Sequence, residues 1–362
     1  MPKSRQRILL AIGSARAGGA EGQIIRLGVE LAVRGHSVRF VFSEAGGVLT
    51  QRLDAAGIPW SIARRSDWPN SSTLRRILGI VNLARILVSA RPTVVMAWLP
   101  TAIWPTLLLA RWLTRATLIA GIRGEIFDDL LGWQRRPLRR AFARADAVAI
   151  NSPHLEAVAA RWGVQRERVE LVPNGVTLPE AVADPGVEPP IAVVVANYRW
   201  YKGHDTLIDA LALVSAPVVV RLCGEGDPTE TALRASMLGV EEKVVFVPDP
   251  ADVRAELRSA QFAIHPSTQE GLSNAILEEL STGLPVVAAS VGGNPLLVTD
   301  ATGRLVPASD AAALAAAIDE LAGDAAARVL MGKAARAHAA AFDWTSCATR
   351  YESLMSRAPS QS

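Results

Sequence analysis

Residues 262–293 read FAIHPSTQEGLSNAILEELSTGLPVVAASVGG, and their order of apolar, polar and small residues decides the fold. Phe262–His265 is a short apolar run of strand length, and Pro285–Ala289 is another. Between them a loop carries Glu270 and Gly271, and a helix begins near Ser273. Short apolar runs closed by small or polar residues, with helical stretches between them, read as a parallel α/β sheet. Glycine in such a loop lets a ligand approach the backbone, and the free N–H groups of the first helical turn favour a phosphate. Glu278 follows Glu270 by eight residues, a spacing that suits neither one shared metal nor an adjacent acid–base pair. Each carboxylate can instead accept hydrogen bonds from a different part of an elongated, hydroxyl-rich ligand. From the residues alone, Glu278 also reads as one solvated carboxylate beside Glu279.

The alternation extends outward from this stretch. Ile191–Ala196, Val218–Cys223 and Lys243–Val247 precede it as strands. Further upstream stand Ile8–Ile12, Ser37–Phe42, Thr93–Trp98, Thr117–Ile122, Ala147–Asn151 and Val169–Val172, with amphipathic stretches at Gly22–Arg34 and Ser72–Ala90. Residues 178–190, LPEAVADPGVEPP, break the pattern with four prolines and no periodicity, which is linker chemistry. A chain of 362 residues exceeds what one core usually organises. The expected organisation is therefore a first α/β domain over 1–177, a linker over 178–190, a second α/β domain over 191–342 and a closing helical segment over 343–362. Asp343–Ser356 reads either as a plain terminal helix or as a return that braces the first domain.

Composition excludes several classes. Cys223 and Cys347 lie far apart without metal-ligand spacing, so buried thiols in a reducing compartment are expected. Met1–Arg7 is basic, but the apolar run after it is too short for a signal peptide or a membrane span. Ala102–Ala120 is the most apolar stretch, and Arg111 and Arg115 interrupt it. These features predict a cytoplasmic protein. The net charge of +3 conceals an asymmetry: residues 1–183 hold 25 Lys+Arg against 13 Asp+Glu, the remainder 13 against 22. The first half also holds seven of the nine tryptophans, Trp60, Trp68, Trp98, Trp104, Trp112, Trp133 and Trp162, and the pairs Arg64-Arg65, Arg75-Arg76, Arg135-Arg136 and Arg139-Arg140. Arginine clusters with interfacial aromatics read either as peripheral contact with an anionic membrane surface, on the inner face of the plasma membrane, or as solvated arginines with tryptophans packed in the core. No nucleic-acid-binding motif accompanies the basic half, so no nucleic-acid partner is expected.

Two more strand-to-helix junctions carry chemistry. In Val193–His204, VVVANYRWYKGH, Lys202 precedes the glycine that opens a helix, where a point charge suits a diphosphate, although from the residues alone it also reads as a solvated surface lysine. Gly13–Glu21, GSARAGGAE, is a glycine-rich turn without G-x-G-x-x-G spacing, which disfavours a dinucleotide. Glu21 belongs to the opening helical turn, where a carboxylate complements the macrodipole.

The run E-G-x-S-N-A-x-L-E-E, followed by G-L-P-V-V-A and G-G-N, resembles the donor-site signature of the retaining GT-B glycosyltransferases, family 4 in particular. The resemblance spans nearly the whole chain. It implies two Rossmann-like domains with parallel sheets facing across a cleft, the first on the acceptor side and the second holding a nucleotide sugar. It assigns Glu270, with the backbone of Gly271, Leu272, Ser273 and Asn274, to the donor sugar and Glu278 to the ribose. Lys202 matches the lysine of the family's G-R-L-x3-K-G pattern, which neutralises the diphosphate. Asn197 stands where that pattern has arginine, and Arg199 is the nearby candidate for the missing charge. Gly224, in Cys223-Gly224-Glu225-Gly226, resembles the G-x-G turn near the base. Gly18 and Gly19 match the family's G-G-A-E turn, and Arg123 stands where a sugar-contacting histidine is common. Thr177 and Leu296 likewise replace an aspartate and a glutamate of the pattern.

The function that the resemblance implies is retaining hexosyl transfer from a nucleotide diphosphate sugar to a lipid-linked or oligosaccharide acceptor in surface polysaccharide assembly. Lys202 and Glu270 would be the catalytic pair, without metal or other cofactor, and the linker would let the cleft close. Two alternatives stay open: a non-catalytic sugar-nucleotide-binding partner, and a sugar-nucleotide epimerase on the same fold.

Overall fold

The computed structural model describes residues 5–16, 18–44, 47–64, 72–124, 130 and 132–357. The chain divides into two compact units, Met1–Gly175 with Trp344–Ser362, and Val176–Asp343.

The first unit is built on β1 (Arg7–Ile12), β2 (Ser37–Glu44), β3 (Trp60–Arg64), β4 (Val94–Trp98), β5 (Thr117–Ile122), β6 (Ala147–Ile150) and β7 (Val169–Leu171). These form one sheet in the order β3-β2-β1-β4-β5-β6-β7, with parallel pairings throughout. The near-continuous apolar runs follow from burial of both faces. Leu9, Ala11, Val95 and Leu118 point into one core, while Ile8, Leu10, Ile12 and Met96 point into the other. β3 escaped the strand reading because Trp60–Arg64 is a half-buried edge without a closed apolar run.

The second unit holds β8 (Ile191–Val195), β9 (Val219–Gly224), β10 (Val244–Pro248), β11 (Phe262–His265), β12 (Val286–Ala289) and β13 (Gly303–Val306). Their order, β10-β9-β8-β11-β12-β13, is the doubly wound arrangement, with the reversal of strand order between β8 and β11. Again alternate residues serve opposite cores, Phe262 and Ile264 one and Ala263 the other. β13 was not expected either. It is an edge strand whose Gly303 lies so close to β12 that a Cβ would come within 1.9 Å of the Val286 carbonyl oxygen.

The proline-rich stretch is not the free linker expected at 178–190. Fully buried Arg328 donates to the carbonyls of Pro185 at 2.8 Å and Val187 at 3.3 Å, and to the Glu188 carboxylate at 2.5 Å. Arg336 donates to the Pro179 carbonyl at 2.7 Å, and Ala183 N–H to the Thr282 carbonyl at 2.9 Å. Prolines stop the segment from joining the sheet, yet its carbonyls remain acceptors for two arginines. The chain passes between units at 175–176 and 343–344 instead.

The closing helix, Trp344–Met355, packs in the first unit, with Ala348, Tyr351 and Leu354 in the core beside Ile24, Leu31 and Trp98. Arg34 fastens it by donating to the Thr345 carbonyl at 2.7 Å and to Glu352 at 3.2 Å. Cys223 and Cys347 are buried thiols outside any disulfide.

Candidate active site

Ligands of doubly wound sheets sit beyond the carboxyl ends of the strands, where the strand order reverses. In the second unit that point lies between β8 and β11, and each of these strands is followed by a loop that carries candidate residues. The β8 loop carries Asn197–Lys202 and the β11 loop carries Pro266–Ser273. Backbone contact joins them. Gly203 adopts a left-handed conformation (φ 74°), and a Cβ there would meet the Pro266 carbonyl oxygen at 2.1 Å. Only glycine satisfies both the dihedral and the approach. Thr268 N–H then donates to the Tyr201 carbonyl at 2.8 Å.

This apposition brings Lys202 Nζ to 2.6 Å from Glu270 Oε1. His265 Nε2 lies 3.0 Å from the same oxygen, and the Ser273 and Ser267 hydroxyls lie 3.2 and 3.3 Å from that nitrogen. Burial pushes the Glu270 carboxyl upward, but His265 and the Lys202 ammonium outweigh it and hold it at about 2. Glu270 is therefore a fixed carboxylate at neutral pH, with Oε2 turned to neither partner. Ser273 also caps the helix Asn274–Thr282 by accepting from the Ile276 N–H at 3.3 Å. Three resources meet here: a cation, an oriented carboxylate and the N-terminus of a nine-residue helix. Together they can hold an anionic leaving group beside a hydroxyl-bearing ligand.

The loop after β12 closes in from a third direction. Gly292 has φ 55°, and a Cβ there would lie 2.0 Å from the Glu270 carbonyl oxygen. Gly293 N–H donates to the Gly271 carbonyl at 2.6 Å. The first glycine of the G-G-N resemblance thus has a steric basis, with Gly292 letting the β12 loop support the Glu270–Gly271 turn.

The remaining candidates fall into distinct places. Asn197 does not present its side chain as an arginine would; its Oδ1 accepts from the Glu225 N–H at 3.1 Å and latches the β8 and β9 loops. Gly224 allows that latch, since a Cβ would lie 2.1 Å from the Ala196 carbonyl oxygen. Arg199 is exposed at the entry to the 3-10 turn Trp200–Lys202. Leu272 is buried, Gly271 and Asn274 are half-buried, and Glu278 is exposed on its helix. Gly18, Gly19 and Arg123 belong to the first unit, at the carboxyl ends of β1 and β5. Gly18 and Gly19 are exposed at the start of the helix Gly19–Val33, and Ala17 lies outside the described residues.

Two side chains were missed. His265 was placed on its strand, yet it is the group that orients Glu270. Glu279 is fully buried, and neither of its carboxylate oxygens has a hydrogen-bond partner among the described residues. Burial first, then the Glu278 and Glu270 charges, raise its pKa well above the usual carboxylate range. Helical spacing could have hinted at this, because Glu279 shares a face with Ile276. Among the described residues no group of three His, Cys, Asp or Glu is placed to hold a metal ion.

The comparisons with known proteins agree with this geometry. Residues 17–179 match the family model "Glycosyltransferase Family 4", and residues 189–324 match "Glycosyl transferases group 1". The chain is 28% identical to a D-inositol 3-phosphate glycosyltransferase of Nocardia farcinica, over 92% of this chain and 83% of that one. It is also 28% identical to the lipopolysaccharide core biosynthesis glycosyltransferase LpsE of Rhizobium meliloti, over 85% and 86% respectively. Among solved structures, Anabaena HepE in complex with UDP and glucose superposes with a TM-score of 0.85 at 21% identity, covering 97% of this chain and all of that one. With its two doubly wound units, its two family matches and the lysine–glutamate pair at the strand reversal, the chain belongs to the family 4 glycosyltransferases of the GT-B fold.

Proposed function

We propose that this glycosyltransferase moves a hexosyl group from a nucleoside diphosphate sugar to a lipid-linked or saccharide acceptor, with retention of anomeric configuration. The observation that carries the reading is the Lys202–Glu270–His265 chain at the N-terminus of the helix Asn274–Thr282. As the glycosidic bond to the diphosphate breaks, negative charge grows on the leaving oxygen. Lys202 and the helix N–H groups stabilise that charge in place, which is where most catalytic advantage arises. Glu270 Oε2 accepts from a sugar hydroxyl, and Glu278 from the ribose. The leaving phosphate takes the acceptor's proton, so the scheme needs no metal and no protein nucleophile. The UDP, glucose and UDP-glucose named for the HepE complexes favour a nucleotide sugar donor, and LpsE favours a role in surface polysaccharide assembly.

The test is transfer from a panel of nucleotide sugars, with the anomeric configuration of the product read by NMR. Product with the donor's configuration supports the reading. Donor turnover without acceptor marks an epimerase, and absence of both turnover and nucleotide diphosphate affinity marks a non-catalytic subunit.

Peripheral membrane contact belongs to the same proposal, in narrower form. No helix among the described residues is long and apolar enough to cross a membrane. Trp98 and Trp162 are buried in the core, and Trp60 is half-buried with its indole N–H on Asp54, so they leave the proposed interface. Trp68 and Arg65 lie outside the described residues. Trp112 (79% exposed), Trp133 (51%) and half-buried Trp104, which meets Trp133 edge-on, remain, with exposed Leu74, Ile77 and Val88 and the arginines of the helix Gly132–Arg144. Arg76 lies 5.1 Å above the Trp133 ring. Co-sedimentation should require anionic lipid and weaken with salt. Wild type left in the supernatant at low salt would remove the membrane from the account.

A further inference from the structure

The carboxyl ends of four neighbouring strands of the first unit bring Trp98, Arg123, Asn151 and Asn174 to one edge of its sheet. Arg123 follows β5, and its guanidinium carbon lies 3.7 Å from the centre of the Trp98 ring and 5.7 Å from that of Tyr351. Gly121 makes room for the stack, because a Cβ there would fall 2.3 Å from the indole. One nitrogen anchors the group: Nη1 donates to the Val172 carbonyl at 3.3 Å and reaches Asn174 Oδ1 at 3.5 Å.

The other edge, Nε with Nη2, is buried and has no acceptor among the described residues. That edge is the fork that grips two oxygens at once. Elsewhere in this protein it does so: Arg234 holds Asp209 through Nε and Nη2 at 2.8 and 2.7 Å, and Arg304 grips Glu320 by the same edge. No carboxylate among the described residues is paired with Arg123. Burial without a counter-charge lowers its pKa to about 9, with only Cys347 acting in the other direction. The Trp98 indole nitrogen and the Tyr351 hydroxyl are also buried without partners among the described residues, as is one acceptor, Asn151 Oδ1. A surplus of donors around a stacked cation has one chemical complement.

The geometry points to a bidentate oxyanion site at Arg123, which takes a carboxylate or phosphate group of a ligand at the carboxyl edge of the first unit's sheet. Trp98 and Asn174 fix the guanidinium plane so that the Nε/Nη2 fork is presented ready-made. The claim concerns binding within one unit and stands whether or not transfer is observed.

The test is a titration of the 15N-labelled full chain, following the nine tryptophan indole signals, with the Trp98 signal assigned from its loss in Trp98→Phe. Inorganic phosphate and glucuronate are the two anionic probes, and glucose is the neutral control. The expected result is a saturable shift of the Trp98 indole with at least one anion and none with glucose. Saturation by glucuronate alone assigns a carboxylate, and by phosphate alone a phosphate group. Arg123→Gln should weaken the dissociation constant about tenfold or more, with Arg123→Lys between, because an ammonium keeps the charge but loses the fork. An equal shift with glucose, no saturable shift with either anion, or an unchanged constant in Arg123→Gln would overturn the assignment. The wild-type contrast between anion and neutral sugar decides the matter even where a variant loses its fold.

Discussion

Lys202 Nζ stands 2.6 Å from Glu270 Oε1, although 68 residues separate the two in the chain. Neither residue belongs to a long regular element, so the pairing depends on two loops held together by backbone contacts at Gly203 and Thr268. It fixes the cation before any ligand arrives, and preorganised charge is what electrostatic catalysis requires.

Glu270 should shape the acid limb of stability. Its folded pKa of about 2 lies below the ordinary 4.5. The contribution is therefore fully present above pH 4.5 and is lost as pH falls toward 2. A shift of that size corresponds to about 3 kcal/mol. Denaturant unfolding of wild type and Glu270→Gln between pH 2 and 7 should show a shallower acid limb in the variant, and parallel curves would refute the pairing.

Glu279 should act with the opposite sign. Its folded pKa is raised, so stability is greatest below the ordinary 4.5 and declines as pH rises toward the folded value. Glu279→Met should gain about 1–3 kcal/mol at pH 8, because a buried acid without partners is replaced by an apolar chain of similar length. The gain should shrink at pH 5. A destabilised variant at both pH values would mean that the carboxyl has a partner worth keeping.

Adjacent glutamates should separate in kinetics as they do in burial. Glu278 is exposed and Glu279 is not. Glu278→Gln should raise KM for the nucleotide sugar about tenfold through a lost ribose hydrogen bond. Glu279→Gln should leave KM near the wild-type value. Equal effects would place the ribose elsewhere.

Arg199→Ala should weaken nucleotide diphosphate binding about tenfold if the exposed guanidinium replaces the charge that Asn197 lacks. Calorimetry checks this directly, and unchanged affinity would confine Arg199 to the surface.

Much of the fold was legible because parallel strands buried on both faces leave short apolar runs, and Phe262–His265 or Thr117–Ile122 could hardly read otherwise. Strands Trp60–Arg64 and Gly303–Val306 lack that signature, since Ser61 and Arg64 in one and Gly303 and Arg304 in the other break the apolar run. In the site, Lys202 and Glu270 stood at strand-to-helix junctions in the sequence, and the family resemblance, not charge alone, gave them roles. His265 gave no such sign, because a histidine on an apolar strand has no spacing that reveals a partner five residues on. The packed course of 178–190 was hidden for a similar reason: its acceptors are backbone carbonyls, and the arginines that bind them lie some 140 residues away or more. Composition could show proline, but not Arg328.

The most direct test of the account is the turnover of Lys202→Ala with a donor and acceptor that the wild type uses. If Lys202 stabilises the departing diphosphate, kcat should fall about 10²-fold or more in a variant that is still folded at the assay temperature, although loss of the Glu270 ion pair lowers its thermal stability. Near-wild-type kcat in a folded variant would contradict the central claim and remove Lys202 from the chemistry.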